Sequence, residues 1–98
     1  MATRQQIIAD IDAHIKKQGG QYSSWYVGIT ADIEERVYGE HKVPREGHWR
    51  IHREADSAAI SRAVEKAFLD AGCKGGPGGG DDSAVWVYAY LITANTVE

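Results

Sequence analysis

A phenol, a guanidinium and an imidazole stand within one short run, Tyr26-Val27-Gly28-Ile29-Thr30-Ala31-Asp32-Ile33-Glu34-Glu35-Arg36-Val37-Tyr38-Gly39-Glu40-His41. Tyr26 falls on the strand face opposite Trp25 and Val27. Arg36 flanks Val37 on the apolar side of what reads as a helix. Phenol and guanidinium can therefore converge on one side of a strand–helix corner, and a planar guanidinium suits phosphate. The plain alternative is a packing unit with a solvated arginine. Between Arg36 and Arg53, five basic residues (Arg36, Lys42, Arg45, Arg50, Arg53) stand against two acids, Glu40 and Glu46. Lys42, Arg45 and Arg50 are thus candidate contacts to a phosphate-bearing substrate, the alternative being an ordinary charged loop. His48 and His52 share a strand face, but no cysteine or acid joins them at zinc spacing, so no zinc site is expected. Cys73 has no histidine beside it in sequence and is not read as a nucleophile.

The elements that must position these groups can be read in order. Thr3 and Gln6 have capping-box spacing, and Ile7, Ile8, Ile11 and Ile15 make one stripe of a helix over residues 3–17 that Gly19-Gly20 stops. Trp25, Val27 and Ile29 alternate with Ser24, Tyr26 and Gly28 as in a strand. Thr30 is the expected N-cap of the following helix, which carries Ile33 and Val37. Val43-Pro44 ends that helix, and residues 45–47 turn. Residues 48–53 alternate, with Trp49 and Ile51 on one side and Arg50 and His52 on the other, as a short extended segment does. Asp56 or Ser57 opens a helix to about Asp70, with Ile60, Ala63, Val64, Ala67 and Phe68 as its buried stripe and Glu65 beside it. Residues 72–82 are glycine-rich and read as a connector, since no Walker-type Gly-Lys-Ser/Thr is present. Residues 84–92 form the strongest strand signal. Val85, Val87, Ala89 and Leu91 lie on one face, and Trp86, Tyr88, Tyr90 and Ile92 on the other. Apolar groups on both faces predict a central strand covered on each side. Residues 93–98 read as a polar tail.

The bulk numbers bound the reading. The chain has 98 residues, enough for a single domain over 1–98. Its net charge of −3 argues against a broadly basic nucleic-acid coat, though not against a local basic surface. With one cysteine no intrachain disulfide can form, which fits a reducing compartment. No apolar run is long enough to span a bilayer, so no membrane partner and a cytoplasmic location are expected. The fold class expected is α+β: a small three-stranded, mostly antiparallel sheet flanked by about three helices.

The run from Tyr26 to Arg36 resembles the second signature of the GIY-YIG nuclease superfamily. There a strand ending in Tyr-Ile-Gly precedes a helix whose arginine stands eight residues after the glycine, the offset from Gly28 to Arg36. The family's histidine follows one helical turn later; His41 stands one residue beyond that, with Gly39 intervening. Family members open on a strand bearing the first signature. Here a helix stands in that place, and Val87-Tyr88-Ala89-Tyr90-Leu91 resembles the first signature moved to the C-terminus. The expectation is a permuted GIY-YIG-like arrangement in which the last strand pairs with residues 22–29 and returns a tyrosine to the site. The family's late asparagine has no counterpart; Asn95 lies in the tail.

The resemblance implies a divalent-metal-dependent nuclease acting on phosphodiester bonds, with nucleic acid as partner. Tyr26, with Tyr88 or Tyr90, would position or deprotonate the attacking water, and His41 would assist as a base. Arg36 would stabilise charge on the phosphoryl oxygens. Glu65, or less well placed Glu54, would hold one Mg²⁺. The alternative is a non-catalytic nucleic-acid or protein-binding module that retains the fold. A third reading is an interaction protein whose C-terminal strand offers its edge to a partner.

Overall fold

Thr3 and Gln6 close the N-terminus as their spacing demands. The Gln6 N–H donates to Thr3 Oγ1 at 3.3 Å, and the Thr3 N–H donates to Gln6 Oε1 at 3.1 Å. Helix α1 (Arg4–Lys17) follows, burying Ile7, Ile11 and Ile15, with Ile8 packed at the margin. The computed structural model from which this architecture is read describes residues 3–17, 21–43, 50–75, 84–93 and 96. The helix stop at Gly19-Gly20, Pro44, the turn at 45–47, Arg45, His48, Trp49 and residues 76–83 lie outside them.

Three strands, β1 (Trp25–Thr30), β2 (Arg50–Glu54) and β3 (Trp86–Leu91), form a sheet in the order β1-β3-β2. Both pairings are antiparallel. The fold is therefore α+β, with a central last strand. Because β3 is paired on both sides, it has no edge to offer a partner, which corrects the strand-edge reading. The expected pairing of the last strand with residues 22–29 is present. Tyr26 lies opposite Tyr90, and Gly28 opposite Tyr88.

Strand alternation then sorts the side chains into two layers. Trp25, Val27 and Ile29 join Val87, Ala89 and Ile51 on one face. This face is covered by α1 and by α2 (Ala58–Ala71), whose Val64 and Phe68 enter the same cluster. Tyr26, Tyr88 and Tyr90 turn to the other face and pack with Val37 and Val43. That face is covered by the segment after β1.

This segment is a helix, but not of the expected kind. Residues Glu34–Glu40 form a π-helix, in which each turn is closed by an i→i+5 bond. Its N-terminal capping also differs from expectation. Thr30 Oγ1 accepts from the nearby Asp32 N–H at 3.0 Å, and Asp32 Oδ1 accepts from the Glu35 N–H at 3.2 Å. The hydroxyl of Thr30 thus turns the chain, and the carboxylate of Asp32 reaches into the first turn.

Helix α2 is capped by Ser57, whose side chain accepts from the Ile60 N–H at 3.2 Å. Its fully buried positions are Ala58, Ser61, Val64 and Phe68, while Ile60, Ala63 and Ala67 are half-buried. The expected stripe is therefore rotated toward Ser61. A buried hydroxyl is tolerated there because Ser61 Oγ donates, with the Ala84 and Ala58 carbonyls 2.5 and 2.9 Å away. Gly72, at φ 120°, ends the helix in a conformation that disfavours any side chain. The start of the glycine-rich stretch is not a loose connector. Lys74 bridges β1 in parallel, accepting from Val27 N–H and donating to the Trp25 carbonyl, each at 2.9 Å. In the tail, Thr93 and Thr96 close a turn, with Thr96 Oγ1 accepting from the Thr93 N–H at 3.0 Å. Among the described residues no helix is long and apolar enough to cross a membrane.

Candidate functional site

The three buried phenols of the second face surround one imidazole. His41, 3 % exposed, lies with its ring centroid 4.7 Å from that of Tyr26, 5.5 Å from Tyr88 and 5.1 Å from Tyr90. His41 Nε2 is 2.9 Å from the Tyr88 hydroxyl, and His41 Nδ1 is 3.0 Å from the Tyr90 hydroxyl. Arg36 Nε donates to the same Tyr88 hydroxyl at 3.3 Å. Arginine has no acceptor, so the direction of that bond is fixed.

The arrangement suits a proton carrier. A neutral imidazole has one N–H and one acceptor nitrogen. With the proton on Nδ1, His41 donates to Tyr90 and accepts from Tyr88. With the proton on Nε2, both bonds reverse. The imidazolium donates to both phenols. Each of the three states keeps both hydrogen bonds, so a proton can enter or leave at Nε2 without the ring turning.

The π-helix is what brings Arg36 and His41 to one hydroxyl. The His41 N–H donates to the Arg36 carbonyl at 3.0 Å, so residues five apart stack along this helix. In an α-helix that role falls to residues four apart. A histidine one residue late in sequence is therefore one turn away in space. Lys42 follows with φ 59°, an uncommon left-handed position for a side chain, as the chain leaves the helix.

Gly28 admits Tyr88. A Cβ on Gly28 would lie 2.3 Å from Tyr88 Oη and 2.5 Å from its Cζ. The phenol crosses the space that any other residue at position 28 would fill. Burial pushes the Tyr88 hydroxyl up to about 12, against the opposing pull of the Arg36 bond and charge. Tyr88 is thus a neutral phenol at neutral pH.

Glu65 comes from a helix over the other face of the sheet. It is half-buried on α2, and its burial raises its pKa while the charges of Arg62 and Arg36 draw it down. Its own charge opposes ionisation of Tyr88. The carboxylate is therefore within electrostatic reach of both Arg36 and Tyr88. Glu54 sits on β2 opposite Trp86. Among the described residues no group of three or more His, Cys, Asp or Glu side chains could hold a metal ion. One carboxylate is nonetheless compatible with Mg²⁺, which keeps several of its waters and takes one or two carboxylates plus substrate phosphate. A partly desolvated carboxylate gains from a cation beside it, so Glu65 fits that ion.

Of the residues singled out by sequence, Tyr26, Arg36, His41 and Tyr88 come together, with Glu65 in reach. Lys42 is exposed. Arg50 turns to another partner, donating from Nε to the Tyr38 hydroxyl at 2.7 Å. Cys73 is buried, and that burial, with the charge of Asp12, pushes its thiol up to about 11. His14 lies in the last turn of α1 and meets Trp25 edge-on at 5.6 Å. Two features escaped the sequence. Tyr88 and Tyr90 are not alternatives, since each takes one imidazole nitrogen, a signal already present in their i, i+2 spacing on one strand face. The need for glycine at position 28 depends on its cross-strand partner and is legible only once the register is known.

Compared with protein-family models, curated proteins and solved structures, the chain has no match.

Proposed function

We propose that the protein is a divalent-metal-dependent phosphodiester hydrolase of GIY-YIG type, its first signature carried by the last strand. The observation that carries this reading is the Tyr88 hydroxyl, which accepts from Arg36 Nε while bonded to His41 Nε2. Arg36 and Glu65 are half-buried, and Glu65 is within electrostatic reach of Arg36 and Tyr88. Phosphate meets the Arg36 guanidinium, whose planar donors offset charge developing on the phosphoryl oxygens. Tyr88 takes a proton from the attacking water as it passes its own to His41 Nε2, so no free phenolate is needed despite the high pKa. His41 becomes an imidazolium held by Tyr88 and Tyr90. Tyr26 packs at a tilt against this ring, with centroids 4.7 Å apart, and keeps it in place. Glu65 would hold one Mg²⁺, which supplies Lewis-acid stabilisation of the leaving oxygen.

The burial of Tyr88, Tyr90 and His41 favours a second reading. The same network would then be a satisfied polar core that fastens the π-helix to the sheet of a non-catalytic binding module. Cleavage of mixed single- and double-stranded DNA and RNA in Mg²⁺ separates the two, with Arg36→Ala and Glu65→Ala as controls. Hydrolysis is expected in the wild type and a loss of at least 100-fold in each variant. A folded wild type that binds strands but cleaves none under varied metals supports the module. Equal cleavage in all three proteins overturns the assigned roles.

A further inference from the structure

We propose that a cleft at the edge of the sheet, lined by His14, Tyr38, Arg50, Ile51, His52 and Arg53, is a phosphate-binding site separate from the Tyr88–His41 centre. The cleft has a volume of about 370 Å³. It wraps β2, the end strand of the described sheet. Arg50 and His52 come from one face of that strand, and Ile51 and Arg53 from the other. His14 is contributed by α1 and Tyr38 by the π-helix.

The donors are anchored. Arg50 Nε donates to Tyr38 Oη at 2.7 Å, and its guanidinium carbon lies 5.4 Å from the centre of the Tyr38 ring. Arg53 Nε pairs with Asp10 at 3.1 Å, and Arg53 Nη1 donates to the His52 carbonyl at 2.8 Å. Anchoring through Nε fixes the plane in which the outer amino groups lie, which lowers the entropy lost on binding. Among the described residues that line the cleft none is acidic.

The charge is concentrated there. Burial, then the charges of Arg53 and Arg50, lowers the pKa of His52. Burial, then Lys17 and Arg53, lowers that of His14. The same field favours an anion between the imidazoles. Donors arrive from three elements and from both faces of a strand. A tetrahedral phosphate can accept from that many directions, whereas a carboxylate offers two oxygens in one plane. The phosphate could be a free ion or one group of a nucleic-acid strand. The site needs no hydrolysis at Tyr88 and stands or falls independently of that reading.

The test follows the histidine Cε1–H resonances of the full chain by NMR, without divalent metal and at constant ionic strength in chloride. Inorganic phosphate is added first, then an eight-nucleotide single strand, then a glutamate octamer. Burial and the charges of Arg53 and Arg50 act on His52, and burial and the charges of Lys17 and Arg53 on His14, with Asp10 paired to Arg53 and Tyr38 to Arg50. Saturable shifts of His14 and His52, with the pKa of His52 raised, are expected in phosphate, while His41 stays unmoved. Arg50→Gln with Arg53→Gln is expected to weaken binding at least tenfold, with circular dichroism confirming the fold. Binding of the strand at least tenfold tighter than phosphate identifies a strand as the source; equal binding identifies the free ion. Unsaturable shifts, undiminished binding in the double variant, or a glutamate octamer that matches the strand would each overturn the proposal. Loss of cleavage in Arg36→Ala with these shifts intact would show that the two sites are distinct.

Discussion

On one face of the sheet, α1 and α2 bury Ile7, Ile11, Ile15, Val64 and Phe68 against Trp25, Val27, Val87 and Ala89. On the other, a π-helix lays His41 among Tyr26, Tyr88 and Tyr90. Both faces are buried, but they depend on different things. The helix-covered face is held by apolar volume, which is non-directional and roughly additive in area. The phenol face is held by shape and by hydrogen bonds among Arg36, His41, Tyr88 and Tyr90 whose donors and acceptors must match. A change on the first face should therefore cost stability and touch chemistry only through the folded fraction. A change on the second should cost less stability and far more chemistry.

Phe68→Ala is a large break on the apolar face, made from the helix side. Truncating this buried ring is expected to cost about 3–5 kcal/mol in urea unfolding. Cleavage per folded molecule should not change. A fall in that specific activity would show that the two faces are mechanically coupled through the sheet. Gly28→Ala is the matching change on the phenol face. The added Cβ would overlap Tyr88, whose Oη and Cζ stand 2.3 and 2.5 Å away. Overpacking of this kind is expected to cost about 3 kcal/mol. Here cleavage should drop at least 100-fold in the molecules that remain folded, because the displaced phenol loses Arg36 and His41 together.

Tyr88→Phe sharpens the contrast through pH. The folded pKa of Tyr88, about 12, lies above its ordinary value of 10.0. A raised pKa means that the contribution is complete below pH 10 and is lost as pH rises through 12. The wild type is therefore expected to lose roughly 2–3 kcal/mol more than Tyr88→Phe over that window. Parallel curves for the two proteins in urea unfolding at stepped alkaline pH would mean that the hydroxyl is not buried as described.

How far these faces were legible differs in the same way. The apolar face is written in periodicity. Ile7, Ile11 and Ile15 repeat at helical spacing, and Trp25, Val27 and Ile29 alternate. Volume requires no more than pattern, so the α+β class and the central last strand followed from the sequence. On the phenol face, pattern placed Tyr26, Tyr88 and Arg36 but not the closure of the turn between Arg36 and His41. Helical periodicity assumes 3.6 residues per turn, and a π-helix breaks that assumption without any marker in composition. The rotation of α2 toward Ser61 was hidden for another reason. A serine reads as a surface residue until the Ala84 carbonyl that accepts its hydroxyl proton is known to lie above it.

The smallest change tests whether the π-helix causes the site or results from it. Gly39 is exposed on that helix, and a Cβ there would meet nothing nearer than the Glu34 carbonyl oxygen at 3.8 Å. Replacing an unconstrained helical glycine by alanine is worth about 0.5–1 kcal/mol. Gly39→Ala is therefore expected to raise Tm by roughly 2–8 °C in a domain of this size. If the bonds of Arg36 and His41 to Tyr88 impose the wide turn, cleavage will be unchanged in the more stable protein. If glycine at position 39 is what permits the wide turn, alanine will favour an α-turn, carry His41 off the Tyr88 hydroxyl, and lower cleavage even as Tm rises. The two outcomes assign the register of the site either to the sheet face beneath it or to the helix backbone itself.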